Sequence, residues 1–580
     1  MRLGEALQIN GRLAAGRQHG VHLLCGFQPL HLETFVKAHI RLRFPDENAL
    51  VHTDLFDDLE GNIIRARSCA DAGAIIAIEW ADLDARLSLR SASAWNYATL
   101  ANVVEQVREK CSRLVTSIIA LSEVMPVAVM APTLPLPPIS HLPPSEAGLF
   151  DLELNAILLQ LCLQIASSKG VRICNAALLS AKSPAALRQD VKMELLAGFP
   201  YSVSHAAAVA ALSVDCLFPA IPKKGLITDL DGTLWKGILG DVGIDGITWS
   251  LESKSQAHAL YQRALGSLAD SGVLLAIASK NDSDMVASAL ERPDLLVNPS
   301  CFFPVEANWG PKSESIARIL KAWNVGEDSV IFVDDSSMEL AEVEGRFPKI
   351  ECLLFPSEDS AGVLSLIETL RTRLGKREVR QEDRLRLQSL RSFAKIENDR
   401  QIAGSSGDFV ARLEAKVTME ASEDDPRPFE LVNKTNQFNL NGVRFTEAEW
   451  KRRRFTPGMF TLSISYEDRF GPLGRIAVVG GETDGKRCLV DTWVISCRAF
   501  SRQIEYQIIR QLFLMWELPE IHFLYQKTKH NGPTRTFFEQ FLPTDLNESG
   551  KLVLPASVFN QHCPELFHQV DNQWIMSHAN

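Results

Sequence analysis

Between residues 221 and 356, short apolar runs alternate with amphipathic stretches of helical period. The runs are GLITDL (225–230), VLLAIAS (273–279), CFFPV (301–305), SVIFVDD (329–335) and IECLLF (350–355). Helices are predicted between them, over 254–270, 283–291, 313–323 and 337–345. A strand that is apolar at every position is buried on both faces, as in a parallel sheet covered by helices. This alternation confines the region to a doubly wound α/β fold, with reactive loops at the carboxyl ends of its strands.

Those carboxyl ends carry a consistent chemistry. The first run ends in DLDGT, so Asp229 closes a buried strand and Asp231 lies in the turn beyond it. An aspartate so placed can attack phosphorus while its neighbour serves as acid and base. Carboxylates this close repel unless a cation separates them, which calls for a hard Mg²⁺. DGT alone also fits a plain turn, but the other strand ends match the same task. Thr233 and Ser279 offer hydroxyls for phosphate, with Lys280 and Asn281 following Ser279. Lys312 stands at a helix start, where an ammonium and a helix N-terminus share an anion. Asp334 and Asp335 end the fourth run and complete a candidate metal set with Asp229 and Asp231. Asp229 and Ser279 are 50 positions apart. One helix, one strand and a small glycine-rich hairpin flap over KGILGDVGIDGITW use that length, leaving no room for a separate cap domain. Such a site is open to a phosphoryl group carried on something large.

The full chain has 580 residues, enough for three or four domains. Residues 1–220 show the same alternation, with predicted strands at 21–27, 73–80, 125–132 and 171–176 and a long helix over 94–119. That domain resembles an SGNH-hydrolase-like sheet, yet its first strand ends in CGFQPLH without a GDS nucleophile motif. An interaction or structural role is expected of it. Residues 221–370 form the phosphatase-like domain, and 371–400 a basic helical linker. From 401 to 580, predicted strands at 429–445, 461–471, 475–482 and 488–496 precede a helix over 501–516, a strand at 521–526 and a helix over 533–541, an α+β layout. A net charge of −11 argues against nucleic acid or anionic membrane as partner. Eleven cysteines without CxxC or zinc spacing point to a reducing compartment. The N-terminal stretch lacks an apolar signal core, and the greasiest run, 114–132, is broken by Glu123 and Pro126. A cytoplasmic protein is expected.

The central motifs resemble the haloacid-dehalogenase superfamily, whose phosphotransferases work through an aspartyl-phosphate. The longer segments PKKGLITDLDGTLWKGILGDVG, ASKNDSD, ALERPDLL, NWGPKSESI and FVDDSSMELAEV resemble the FkbH-like family of polyketide pathways, as do NKTNQFNLNGVR, YEDRFG, VISCRAFSRQIEY and KTKHNGPTRTFF. The resemblance covers roughly residues 200–545. It implies Asp229 as nucleophile, Asp231 as general acid/base, Lys312 as charge stabiliser, and Mg²⁺ as cofactor. It further implies loading of a glyceryl unit from 1,3-bisphosphoglycerate onto an acyl carrier protein with loss of phosphate. The C-terminal half resembles a GNAT acyltransferase fold. Where the family has DLDNTLWGG and DDNP, this chain reads DLDGTLWKG and DDSS. Ser501 and Gln503 replace the glycines a GNAT fold uses to hold the coenzyme A pyrophosphate, which favours a carrier-borne pantetheine over free coenzyme A. Cys497, flanked by Arg498 and Arg502, is a candidate thiol relay, with a buried strand cysteine as the competing reading. Asn436, Gln437, Asn439, His530 and Asn531 are candidate carrier or acyl-thioester contacts, and KRRRF (451–455) a candidate dock for an acidic carrier. The alternative function is a Mg²⁺-dependent phosphatase without acyl transfer.

Overall fold

The computed structural model of the chain describes residues 1–12, 16, 18–69, 71–143, 145–379, 383, 385–388, 390–391, 413–421, 425–435, 437–469, 471–496, 499–500, 502–529, 531–542 and 549–573. The chain divides into two compact units, Met1–Ala220 with Phe445–Arg453, and Ile221–Arg444 with Arg454–Asn580.

In the first unit, strands β1 (Gln18–Leu24), β2 (Asn48–Thr53), β3 (Gly73–Ala77), β4 (Val127–Met130) and β5 (Val171–Ile173) form a parallel sheet in the order β2-β1-β3-β4-β5. β3 and β4 are buried at every position, which is why their apolar runs are unbroken. One apolar layer packs Leu30–Arg43 and Val203–Leu217 on one face, and a second packs Leu59–Ala66, Leu100–Ser122 and Leu149–Ala166 on the other. The long helix expected from residue 94 begins at Leu100, because residues before it fold into short 3₁₀ turns with Ser91 out of helical geometry. The run at 114–132 is a helix end at Ser122 followed by β4. Leu149–Ala166 is the one helix among the described residues long and apolar enough to cross a membrane by length and composition.

The returning segment Phe445–Arg453 belongs to this unit. Glu447 pairs with Arg172 at 2.7 Å, and Ala448 and Trp450 are buried. The KRRRF cluster lies on the helix Glu447–Phe455. Within it, Arg453 is buried and lies over the Phe445 ring, while Arg452 and Phe455 are exposed.

In the second unit, β6 (Gly225–Thr228), β7 (Leu274–Ser279), β8 (Phe302–Ala307), β9 (Val330–Asp334) and β10 (Glu351–Leu354) form a parallel sheet in the order β10-β9-β6-β7-β8. Helices Gln256–Asp270, Ser283–Leu290, Lys312–Trp323 and Ser337–Arg346 connect the strands close to their predicted bounds. The first strand is central; the chain runs outward through β7 and β8, then crosses to β9 and β10. The strand order therefore reverses between β6 and β9, and a crevice opens there at the carboxyl ends. The expected hairpin flap is instead a helical turn, Leu239–Gly246, broken at Gly243 and tied at its base by reciprocal backbone bonds between Lys236 and Thr248 (2.8 and 3.0 Å).

The remaining strands form a mixed sheet: β11 (Lys416–Ala421), β12 (Phe438–Asn439), β13 (Met459–Asp468), β14 (Gly471–Thr483), β15 (Cys488–Ile495), β16 (Glu520–Tyr525), β17 (Gly550–Pro555) and β18 (Gln569–Asn572). Their order is β17-β16-β15-β14-β13-β11-β18, with β12 on β15. The strand expected over 429–445 opens instead as the end of a helix, Arg427–Lys434, and is strand only at Phe438–Asn439. Pro426 and Pro428 open it, where their missing N–H groups cost nothing. Of the basic stretch 371–400, Arg371–Leu374 finish the helix Ser360–Leu374. Lys376 and Arg386 pair with Asp383 at 2.8 and 3.0 Å. Most positions from 380 to 400 lie outside the described residues.

Candidate active site

The switch point of the central sheet collects the reactive side chains. Asp229 follows β6 and its backbone N–H donates to Val333 of β9 at 3.0 Å, so Asp229 and Asp334 emerge side by side. Lys312, at the first position of the helix Lys312–Trp323, places Nζ 3.0 Å from Asp229 Oδ1 and 2.6 Å from Asp334 Oδ2. All three side chains are buried: 5% exposed for Lys312, 7% for Asp229, 0% for Asp334. Burial lifts the Asp229 carboxyl to about 7 against the opposing pull of Lys312, and Asp334 adds to the rise. Burial works against the Lys312 ammonium, but Asp229 and Asp334 outweigh it and hold its pKa above the ordinary value. Asp335 is raised too, by burial and then by Asp334.

Asp229, Asp334 and Asp335 bring one carboxylate oxygen each within 4.8 Å of one another. Three hard oxygens at that spacing suit a small divalent cation. Asp231, expected as a fourth ligand, stands outside this group. Its Oδ1 accepts from Trp235 Nε1 at 2.8 Å and from the Leu239 N–H of the flap at 3.1 Å, and its Oδ2 from Asn281 Nδ2 at 3.0 Å. Three donors take both oxygens, so Asp231 is fixed in place for another task. Gly232 makes the turn possible. Its φ is +66°, and a Cβ there would lie 2.2 Å from Asp335 Oδ2.

The hydroxyls expected to meet phosphate converge here. Ser279 is buried at the end of β7 and accepts from Asn281 Nδ2 at 3.1 Å. The Thr233 hydroxyl is fully buried without a hydrogen-bond partner, an orphan that an oxyanion would satisfy. Lys280 does not join them; it pairs with Glu339 at 2.6 Å and is 40% exposed. Behind the site, Tyr261 donates to Thr228 Oγ1 at 3.2 Å, while His258 and Gln262 hold the carbonyls of Thr233 and Leu234 at 2.9 Å each. Sequence reasoning missed Trp235, whose only signal was its position four residues after Asp231.

The C-terminal candidates fare differently. Cys497, Arg498, Asn436 and His530 lie outside the described residues. Arg502 is not free to tune a thiol, because it is buried against Asp468 at 3.1 Å and lies over the Tyr466 ring. Asn439 and Asn531 are spent on the chain itself. β15 and β16 pair only at Leu489–His522 and Val490–Phe523. Past that point, Phe438–Leu440 sits between them, with Leu440 N–H donating to Trp493 O (2.9 Å) and Gln526 N–H to Leu440 O (3.2 Å). Asn531 Nδ2 donates to the carbonyls of Asn439 and Gln526, and Asn439 Oδ1 accepts from Asn441 and Gly442. Gln437 is half-buried beside this wedge.

Known protein families and curated proteins give no match to the chain. Among solved structures, the fold is similar to the N-terminal part of the protein BF1531 from Bacteroides fragilis, containing a phosphatase domain complexed with Mg. The two superpose with a TM-score of 0.51 at 21% identity, over 64% of this chain and 98% of that one. The covered share exceeds what the central sheet and its helices make up alone.

Proposed function

We propose that this chain is a Mg²⁺-dependent phosphatase of the haloacid-dehalogenase type, acting in the transfer of a glyceryl unit from 1,3-bisphosphoglycerate to an acyl carrier protein. The observation that carries the phosphatase reading is the buried Asp229–Lys312–Asp334 triad at the strand-order reversal, with Asp231 held beside it. The fold shared with a Mg-bound phosphatase domain supports the same reading. The glyceryl and carrier-protein steps rest on the FkbH-like motifs.

Asp229, Asp334 and Asp335 would hold Mg²⁺, which would neutralise phosphoryl oxygens and the nucleophile's own charge. Asp229 attacks phosphorus through a carboxylate oxygen, and the bond from phosphorus to the substrate alkoxide breaks. Asp231 gives its proton to that alkoxide, then takes one from the water that cleaves the aspartyl-phosphate. Lys312, Ser279 and Thr233 bind the phosphoryl oxygens. Lys312 also favours the ionised form of Asp229, which its burial opposes. The acyl step transfers the phosphoglyceryl carbonyl from its acyl phosphate to a thiol, releasing the first phosphate.

The test incubates the chain with 1,3-bisphosphoglycerate, Mg²⁺ and a carrier protein, and follows phosphate and intact mass. Phosphate release with a glyceryl thioester on the carrier is expected. Asp229→Asn is expected to abolish the phosphatase step, and full activity in that variant would defeat the assignment. Phosphate release with nothing acylated would favour the second reading, a phosphatase whose C-terminal part only binds. The internally satisfied amides of Asn439 and Asn531 favour that second reading.

A further inference from the structure

The helix Leu149–Ala166 is apolar on two opposite faces. Phe150, Leu154, Ile157, Leu158, Leu161 and Ile165 are buried in the first unit's core. On the other side Leu149, Leu152, Leu159 and Leu163 are 72%, 55%, 61% and 61% exposed, with Ala156 exposed between them and Ala166 exposed beyond Leu163. The spacing of this outer stripe alternates three and four, which is the seam of a paired-helix contact. Single exposed leucines are ordinary; an unbroken stripe along the whole helix is not.

We propose that this stripe is the interface of a homodimer, in which the helix packs antiparallel on the same helix of a second copy. The stripe is complementary to itself under that symmetry. A two-fold axis midway between Ala156 and Leu159 sets Leu149 against Ala166, Leu152 against Leu163, and Ala156 against Leu159, so every stripe position meets another. On the flanks, Asn155 meets Cys162 and Glu153 meets Gln160 of the other copy, so no like charges oppose each other. A parallel pair would set each stripe residue on its own copy, with Ala156 on Ala156 and Ala166 on Ala166, and so would not match large to small. Opposed helix dipoles add to the preference. A two-fold contact needs one self-complementary patch and no other partner. The inner face is committed to the core, so the helix cannot leave to span a bilayer. A surface-bound membrane helix would flank its leucines with lysine and arginine, whereas Asp151, Glu153, Gln160 and Gln164 flank these.

Sedimentation equilibrium of the full chain at micromolar concentration tests this. A dimer is expected, and Leu152→Glu with Leu163→Glu is expected to weaken it at least tenfold with the circular dichroism spectrum of the fold retained, since neither side chain is part of the subunit's own core. Ala156→Cys with Leu159→Cys is expected to cross-link copies on mild oxidation. Leu152→Cys alone is expected not to, because its two copies stand about 16 Å apart along the pair. A monomer at every concentration, a dimer indifferent to both glutamates, or a cross-link through Leu152→Cys alone would overturn the proposal. So would binding to phosphatidylglycerol vesicles that the glutamates abolish.

Discussion

Lys312 keeps apart two buried carboxylates that would otherwise repel each other. Its removal leaves Asp229 and Asp334 without a counter-charge, and breaking a buried ion pair on one side costs about 3–5 kcal/mol. Lys312→Met is therefore expected to lower the melting temperature of metal-free protein, with partial recovery on adding Mg²⁺, and to lower phosphate release at least 100-fold. Differential scanning fluorimetry and a phosphate assay measure both; a variant that melts and turns over like the parent removes the lysine from the site. Gly232→Ala forces a side chain into a left-handed turn and onto Asp335. The expected result is retained circular dichroism with weakened Mg²⁺ binding by calorimetry. Asp229, Ser279 and Asp334 were legible in sequence because each stands where an unbroken apolar run stops, and Lys312 because it opens a helix. Trp235 was not, since a fully buried tryptophan reads as core, and its N–H finds Asp231 only once the turn has closed. The amides of Asn439 and Asn531 misled for the opposite reason. They look solvent-directed in sequence, but a wedge between two strands creates backbone groups that only nearby amides satisfy.

Among elements, the flap holds most interest, because its Leu239 N–H bonds the carboxylate assigned as acid and base. Arg292 clamps the flap's far end. Its guanidinium donates to the carbonyls of Ile244 and Ile247 at 2.8 Å each, stacks on Trp249 at 4.3 Å and pairs with Asp294. Arg292→Ala is expected to make residues 236–248 the first site of limited proteolysis and to lower kcat/KM, with the sheet intact by circular dichroism; unchanged cleavage and kinetics would show the clamp to be idle. Sequence revealed the buried strands and three edge strands, β5, β8 and β10, but missed the edge strands β2, β17 and β18. β2, β17 and β18 lie at sheet edges and bury only some positions, so their patterns carry neither a clean run nor a strict alternation. The glycines at 237, 240, 243 and 246 suggest a hairpin, yet Leu239 and the apolar residues after it close a helical turn.

At the scale of the whole molecule, the first unit carries its own electrostatic load. A cavity of about 150 Å³ opens at the carboxyl ends of its strands, lined among others by Gly26, Trp80, Asp82, Leu134 and Glu194. Burial lifts the Asp82 carboxyl to about 7. Between pH 4 and 7 the unfolded chain ionises this group while the folded one keeps it protonated, so its contribution to stability falls as pH rises and levels off above 7. The full shift corresponds to up to about 4 kcal/mol at ~1.4 kcal/mol per unit. Asp82→Asn is expected to flatten the pH dependence of melting over that window; an unchanged slope would exclude Asp82 as its source. The Arg172–Glu447 pair joins stretches far apart in sequence, and Arg172→Glu is expected to destabilise the first unit, with partial rescue by Glu447→Arg in a double-mutant cycle. Domain division at residue 220 was legible from the change in motif chemistry, but the return of Phe445–Arg453 was not, because nothing local in that helix names its distant partner. The return also sets a timetable for synthesis. A ribosome adds roughly 5–20 residues per second, so Ile221–Arg444 takes roughly 10–50 s to make. For that interval the nascent first unit waits, lacking its last helix, while the central sheet emerges behind it, and Arg172 stays without its carboxylate until the chain has come back.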